Sequence, residues 1–398
     1  MKRLLICALF LLCASARAQD VPDTWPGVLE KASGQTVYFN AWAGDENTNA
    51  FIAWVAGRVQ ALYGIHLNHV KITLTSEAVS RVVAEKAAGR HAGGSIDLIW
   101  INGENFLSMK EQGLLFGPFT HRLPHFALVD AVGKPTTVID FTVPVEGMES
   151  PWRMAQIVFA YDSARLKNPP RAIPAMLAWA RQNPGRITHP RIRNFLGSTF
   201  LKQALCELVE DPRVLLAPAT QADFARVTAP LWRWYEQLKP LMWRGGEQFP
   251  ETGPAMRQLL ADGEIDIMIS FNPNEASTAI GKGILPDTVR TFVLEKGTIG
   301  NTSFVAIPYN AAHKEGAMAV ADFLLSPECQ ARAMHPDTMG NFTVLDLNRL
   351  TPADRKRFEE LPRGVATLSA AELGRPLLEP HPSWMNGIVA EWERRYTK

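Results

Sequence analysis

Between residues 36 and 105 the chain alternates two hydrophobic periods, and this alternation restricts the fold more than any other feature. TVYFNAW, residues 36 to 42, puts Val37, Phe39 and Ala41 on one face, the period of a strand. FIAWVAGRVQALYG then places Phe51, Val55, Val59 and Leu62 at helical spacing, with Asn47 or Thr48 able to cap its start and Gly64 its end. VKITL predicts a second strand. SEAVSRVVAEKAAGR predicts a second helix with Val79, Val82, Val83 and Ala87 inward, and SIDLIWIN a third strand. Strand, helix, strand, helix, strand is the order of a parallel sheet with right-handed crossovers, so the expected class is α/β.

Open α/β sheets bind ligands beyond the carboxyl ends of their strands. Two such ends carry the same chemistry here. The first strand ends in Trp42, followed by Asp45, Glu46 and Asn47; the third ends in Trp100, followed by Asn102, Glu104 and Asn105. Two parallel strands ending alike predict one mouth. Its tryptophans offer faces to a ring or a cation, and its acids a counter-charge. Each residue also has a plain structural use, in the core for tryptophan, at helix starts for the acids and in turns for the amides.

The rest of the chain adds candidates. Residues 140 to 161 are punctuated by Pro and Gly and then extended, as a segment crossing into another lobe would be, and TVRTFVLE could cross back. Trp152 and Gln156 follow Pro151 at this suspected hinge, either lining the cleft or stiffening the crossing. Gly197, Ser198 and Thr199 open a predicted helix, an arrangement that suits either an anion or an ordinary N-cap. A predicted strand from Ile265 to Phe271 leads into Asn272, Asn274 and Glu275, a third amide and acid loop, and Asn301 is a further polar candidate.

The first 20 residues, MKRLLICALFLLCASARAQD, have a basic start at Lys2 and Arg3, a short apolar run and the small-x-small site Ala16-Arg17-Ala18. They predict a secretory signal peptide, residues 1 to 18, on an exported protein. The full chain has 41 basic and 40 acidic residues; losing Lys2, Arg3 and Arg17 leaves 38 against 40, a formal net of −2. No basic face is indicated, so no nucleic-acid partner is expected. Cys206 and Cys329 remain; export permits a disulfide between them, and two separate buried thiols are the alternative. No G-x-S-x-G, H-E-x-x-H or Walker A sequence occurs, and neither a metal nor a cofactor is expected. A secreted hydrolase acting on a small molecule is the competing functional class.

The order of IDLIWING, FAYDSARL, ADGEIDIMISFNP and ADFLLSPECQ resembles the extracellular solute-binding proteins of ABC importers. FNAWAGDENTN, DLIWINGENF, LLFGP, FTVPVEGMESPW, LADGEIDIMISFNPNEAS and GTIGNTSFVAIPYN are similar to the YnjB-type branch of that family. The resemblance spans nearly the whole mature chain. It implies a two-lobe periplasmic-binding-protein fold of type II that closes at a hinge, and no enzyme activity. It also implies an inner-membrane permease and its ATPase as partners of a monomer. The lobes are expected at residues 19 to 145 plus 292 to 335, and at 146 to 291 plus 336 to 398. Ferric-ion-binding relatives use adjacent tyrosines and this chain has no such pair, so iron capture is not expected. Paired Trp with acids suggests an organic cation with a ring, such as thiamine, or a polyamine, and Gly197-Ser198-Thr199 adds room for a phosphate. Intact-mass measurement of periplasmic material is expected to give a chain starting at Gln19; a lipid adduct on Cys13 would overturn the cleavage site.

Overall fold

The computed structural model describes residues 21–397, so the expected signal peptide lies outside the described residues. Ten strands occur there: β1 Thr36–Trp42, β2 His66–Ile72, β3 Leu98–Ile101, β4 Ile139–Asp140, β5 Val143–Pro144, β6 Glu149–Gln156, β7 Val158–Asp162, β8 Ile267–Ser270, β9 Val289–Phe292 and β10 Gly300–Ala306. The first sheet has the order β2-β1-β3-β10-β6, and a second, three-stranded sheet the order β8-β7-β9. β1 lies parallel to β2 in one register from Thr36↔His66 to Trp42↔Ile72, and parallel to β3 through Phe39↔Leu98 and Asn40↔Ile99. The parallel trio is therefore the expected one. β10 and β6 extend it antiparallel, and the second sheet is antiparallel throughout.

Local sequence accounts for the connections. The helix Glu46–Tyr63 starts where the Asp45 carboxylate accepts from the Thr48 backbone N–H at 2.9 Å, and it stops at Gly64, whose φ of 70° suits a residue without Cβ. It buries Phe51, Ile52, Val55 and Val59 against the first sheet and the helix Lys314–Leu324. A separate core surrounds the second sheet, built from Phe159, Phe292, Trp234, Tyr235, Trp384 and Ile388 among others. The other face of the first sheet carries a further core with Ile99, Ile101, Phe106 and Phe304, and apolar cores built on two separate sheets make two lobes.

The lobes are joined by extended backbone. Only Ile157 separates β6 in the first sheet from β7 in the second, and residues 293–299 carry the chain back from β9 to β10. The Ile157 N–H donates to the Ile299 carbonyl at 2.8 Å, so the two crossings run side by side.

The expected lobe boundaries shift at two places. β6 belongs to the first sheet, because it pairs with β10 from Gly300↔Gln156 to Ala306↔Glu149. Val344, Leu345, Leu350 and Phe358 pack into the first core, so residues 336 to about 360 go with it. After that the tail changes sides: Leu377 bridges to Ile299, and the helix Pro382–Tyr396 packs in the second core. The physical reason is the burial of those four apolar side chains, which no boundary drawn at residue 335 anticipates. Cys329 lies in the first core and Cys206 against the second, both as free thiols.

Trp152 is 1% exposed, stacked on Phe51 with ring centroids 6.1 Å apart and edge-on to Trp100 at 5.0 Å. It is a core residue of the first lobe, not a cleft lining as the hinge position suggested. Trp152→Ala is expected to destabilise the protein by about 3–5 kcal/mol, read from the urea midpoint at unchanged m-value; a loss below about 1 kcal/mol would contradict this packing.

Candidate functional site

The carboxyl ends of β1 and β3 do meet. Trp42 and Trp100 stand edge to face, centroids 6.4 Å apart at 86°, and both are half-buried. Around them the polar residues divide. Asp45 is an N-cap: its Oδ2 accepts from both the backbone N–H and the hydroxyl of Thr48, at 2.9 and 3.1 Å. The Asn47 Oδ1 accepts from the ammonium of Lys282, which reaches across from the second lobe. Asn102 occupies the N-cap position of the helix Gly103–Glu111 without a side-chain capping bond. Asn105 Nδ2 donates to Glu104 Oε1 at 3.0 Å. Gly103 has a φ of 60°, and a Cβ there would stand 3.2 Å from the Phe141 ring. Its N–H donates to Asp140 Oδ2 at 2.5 Å. The sequence Trp-Ile-Asn-Gly-Glu-Asn is therefore partly a turn that admits only glycine at its centre.

Behind that turn, charged groups of both lobes converge. Lys202, from the helix Phe195–Leu208, is wholly buried and pairs with Glu379, its ammonium 2.5 Å from Oε2. Its ammonium also lies 4.5 Å from the Phe141 ring and 5.4 Å from the Phe195 ring. Asn301 Nδ2 donates to Glu379 Oε1 at 2.8 Å. Glu104 and Asp140 of the first lobe face the same group electrostatically. Three carboxyls thus share one ammonium, and burial holds each above its ordinary value: Glu104 and Glu379 are raised, with Lys202 pulling both back, and Asp140 is raised well above. Glu149 is buried beside Asp140 with neither oxygen hydrogen-bonded; burial, then the Asp140 charge, pushes it well up as well. Burial also pushes the Cys206 thiol up to about 12, leaving it protonated and unreactive at neutral pH.

The other candidates are committed to structure. Gln156 Nε2 donates to Thr298 Oγ1 at 3.2 Å and to the Leu373 carbonyl at 3.1 Å, tying the tail to both crossings. Asn272 Nδ2 donates to the Met339 carbonyl at 2.6 Å, and Asn274 Nδ2 to the Gly340 carbonyl, so this amide loop clasps a turn of the first lobe. Glu275 pairs with Arg257 at 2.9 Å. Gly197, Ser198 and Thr199 correct an expectation: the helix starts at Phe195, capped by Asn194, whose carbonyl takes the N–H groups of Gly197 and Ser198 at 2.9 and 3.1 Å. Ser198 bonds back to the Asn194 and Phe195 carbonyls, and a Cβ on Gly197 would lie 2.2 Å from the Arg191 carbonyl oxygen. No free anion cradle exists there. Thr199 is buried with its hydroxyl unpartnered.

Sequence reasoning missed Lys202, Asp140, Glu149, Glu379 and Arg153. Lys202 had a signal: it is the one charge in the apolar run FLGSTFLKQALC. The others had none, since their partners are distant in sequence. Among the described residues no three His, Cys, Asp or Glu side chains converge as a metal ion would need, and no helix is long and apolar enough to cross a membrane. Two surface cavities, about 380 and 510 Å³, lie away from this region, one between the helices Phe224–Leu238 and Pro382–Tyr396, the other beside Trp25 and Pro118.

Residues 54–347 match the bacterial extracellular solute-binding protein family. The chain is 39% identical over 393 residues to Protein YnjB of Escherichia coli (strain K12), with 98% of each chain covered. The fold is similar to that of the periplasmic binding protein AfuA from Actinobacillus pleuropneumoniae, solved with fructose-6-phosphate, at a TM-score of 0.63 and 15% identity over 91% of this chain and 98% of that one. It is also similar to iron-bound HitA from Pseudomonas aeruginosa, at a TM-score of 0.61 and 17% identity over 91% of this chain and 99% of that one. The family match and the relative that covers the chain place it among extracellular solute-binding proteins, so the competing hydrolase class is set aside.

The raised carboxyls make stability depend on pH. Each keeps its proton in the fold at a pH where the unfolded chain has lost it. Their stabilisation is complete below the ordinary carboxylate range, about pH 4, and is lost as pH climbs through their raised values. Asp140→Asn preserves an acceptor for the Gly103 N–H and removes one such titration. The variant is expected to lose less melting temperature than the parent between about pH 5 and about pH 8; equal losses would place these protons elsewhere.

Proposed function

The chain belongs to the bacterial extracellular solute-binding proteins, and from this premise we propose that it captures a small organic solute between its lobes in the periplasm and presents it to an inner-membrane ABC permease and its ATPase. The protein acts as a monomer that opens and closes about the paired crossings at Ile157 and Ile299. The observation that carries this reading is the convergence, between two separately built cores, of Glu104 and Asp140 from one lobe on Lys202 and Glu379 from the other. Closure is what brings these charges together.

The solute in this reading carries a cationic group, as in a thiamine-like or phosphorylated cation. With Asp140 holding its proton, the Glu104 and Glu379 carboxylates still outnumber the single Lys202 ammonium, an excess that a cation would offset and an anion would aggravate. Glu104 is the carboxyl placed to meet it, since the side-chain donor to it comes from its own neighbour, Asn105. Asp45 is not, because Thr48 takes its oxygen twice. Trp42 and Trp100, half-buried at the strand ends, supply apolar and aromatic surface beside it.

Mass spectrometry of what co-purifies under native conditions identifies the solute, and calorimetry measures it. Glu104→Gln, Trp42→Ala and Trp100→Ala are each expected to weaken binding of that solute by about tenfold or more, about 1.4 kcal/mol. Unchanged affinity in all three, with only stability lost, would sink the assignment of the site. A neutral solute would sink the cationic reading alone.

A further inference from the structure

We propose that Arg153 holds an oxyanion of the bound solute, a carboxylate or a phosphate, at the base of the interlobe cleft; this rests on the solute-binding reading above. Arg153 lies on β6, opposite Ser303 of β10 and beside the β-bulge at Ser303/Phe304, four residues before the crossing at Ile157. Its guanidinium sits 4.8 Å from the Trp100 ring and 5.6 Å from the Trp152 ring. It therefore touches the tryptophan that closes β3 at the mouth.

What sets Arg153 apart is the partner it lacks. Its Nε is buried with no hydrogen-bond acceptor, and the Trp152 Nε1, on the next residue and the ring it covers, is a second buried donor with none. Among the described residues no carboxylate lies within ion-pair distance of Arg153. Asp45 is the acid whose charge it feels, and both lone-pair contacts of Asp45 Oδ2 go to Thr48. Buried Lys202 has Glu379, and half-buried Lys134 donates to the carbonyls of Thr343 and Leu345 at 3.0 and 2.7 Å.

Ring faces do not fill this gap. A cation–π contact steadies a guanidinium and leaves its N–H groups unbonded. Desolvation is already felt, since burial lowers the Arg153 pKa to about 10. A planar fork held on aromatic faces, with its Nε–H buried and unaccepted, matches a carboxylate or a phosphate in two-point geometry. Glu104 and Arg153 then take the two ends of one solute, a molecule with a positive and a negative group. The rival is a purely structural role, with Arg153 a staple between Trp100 and Trp152.

The test uses the full mature protein, its R153M and R153K variants, and inorganic phosphate and acetate as separate probes at ionic strength matched with sodium chloride. Tryptophan fluorescence and thermal shift are read together, because Trp100 and Trp152 flank the guanidinium. In the parent, phosphate or acetate is expected to give a saturable response that chloride does not. Which probe saturates tells a phosphate site from a carboxylate site. R153M should weaken that response at least tenfold, about 1.4 kcal/mol, with R153K between the two. No saturable response to either anion in the parent, or equal responses in parent and R153M, overturns the assignment. A staple alone would lower the melting temperature of R153M without anion and leave its anion response intact. The co-purified solute keeps the two readings apart: equal affinity in parent and R153M removes the oxyanion contact and leaves the cleft, whereas no solute-dependent closure in the parent removes the cleft itself.

Discussion

Everything about this molecule's shape depends on how extended backbone leaves one sheet and enters another. A strand that exits a sheet takes unpaired N–H and C=O groups with it, and these must be satisfied on the way. Here the two crossings satisfy each other, through the Ile157 N–H on the Ile299 carbonyl, while the Gln156 amide bonds Thr298 and the Leu373 carbonyl. Two adjacent, mutually bonded strands restrict relative motion of the lobes to bending across the pair. The tail adds a third tie where Leu377 bridges to Ile299. The result is a joint with few degrees of freedom, which aims the same side chains of each lobe at each other whenever it closes.

Those side chains are charged, and their balance follows from the same geometry. The first lobe brings Glu104, in the first turn of the helix Gly103–Glu111, and Asp140, on β4 where it accepts from the Gly103 N–H; the second brings Lys202 and Glu379. Inside the closed joint a buried ion pair gains little over its cost of desolvation, and breaking one leaves an uncompensated charge. Protons retained on Asp140 and Glu149 reduce that cost by removing negative charge where only one ammonium is available. The contact between the lobes is therefore coupled to the protonation of these carboxyls.

The sequence made the first lobe legible because its signals are local. Helical and strand periods, Asp45 and Gly64 as helix ends, and two strands ending in tryptophan all lie within a few residues of what they determine, and Trp42 does meet Trp100. The second lobe was legible as elements and not as charges. Lys202 and Glu379 are 177 positions apart in the numbering, and nothing near either announces the other. Gly197-Ser198-Thr199 was misjudged for a local reason: Asn194 starts the helix three residues earlier, and its carbonyl takes the amides an anion would need. The lobe boundary near residue 335 failed because Val344, Leu345, Leu350 and Phe358 follow the first core, whereas Trp384 and Ile388 follow the second. A tail that serves both cores has no compositional edge to read.

Arg153 and Glu104 show how the fold keeps opposite charges from cancelling. Both lie near the ends of first-sheet strands, yet neither neutralises the other: Glu104 bonds Asn105 and faces Lys202, and Arg153 rests on Trp100 and Trp152. Rigid β-strand placement makes this separation possible, because strand register sets the side-chain positions before any charge can pull them together. Charges held apart in a desolvated place penalise a partner that matches only one of them, since the other stays buried and unpaired. In the proposed site, discrimination among solutes comes from what a wrong molecule leaves unsatisfied more than from what the right one contacts. In the proposed site, a neutral molecule of the same shape would cover the aromatic surface of Trp42 and still leave Glu104 and the guanidinium uncompensated, so it would favour the closed form much less.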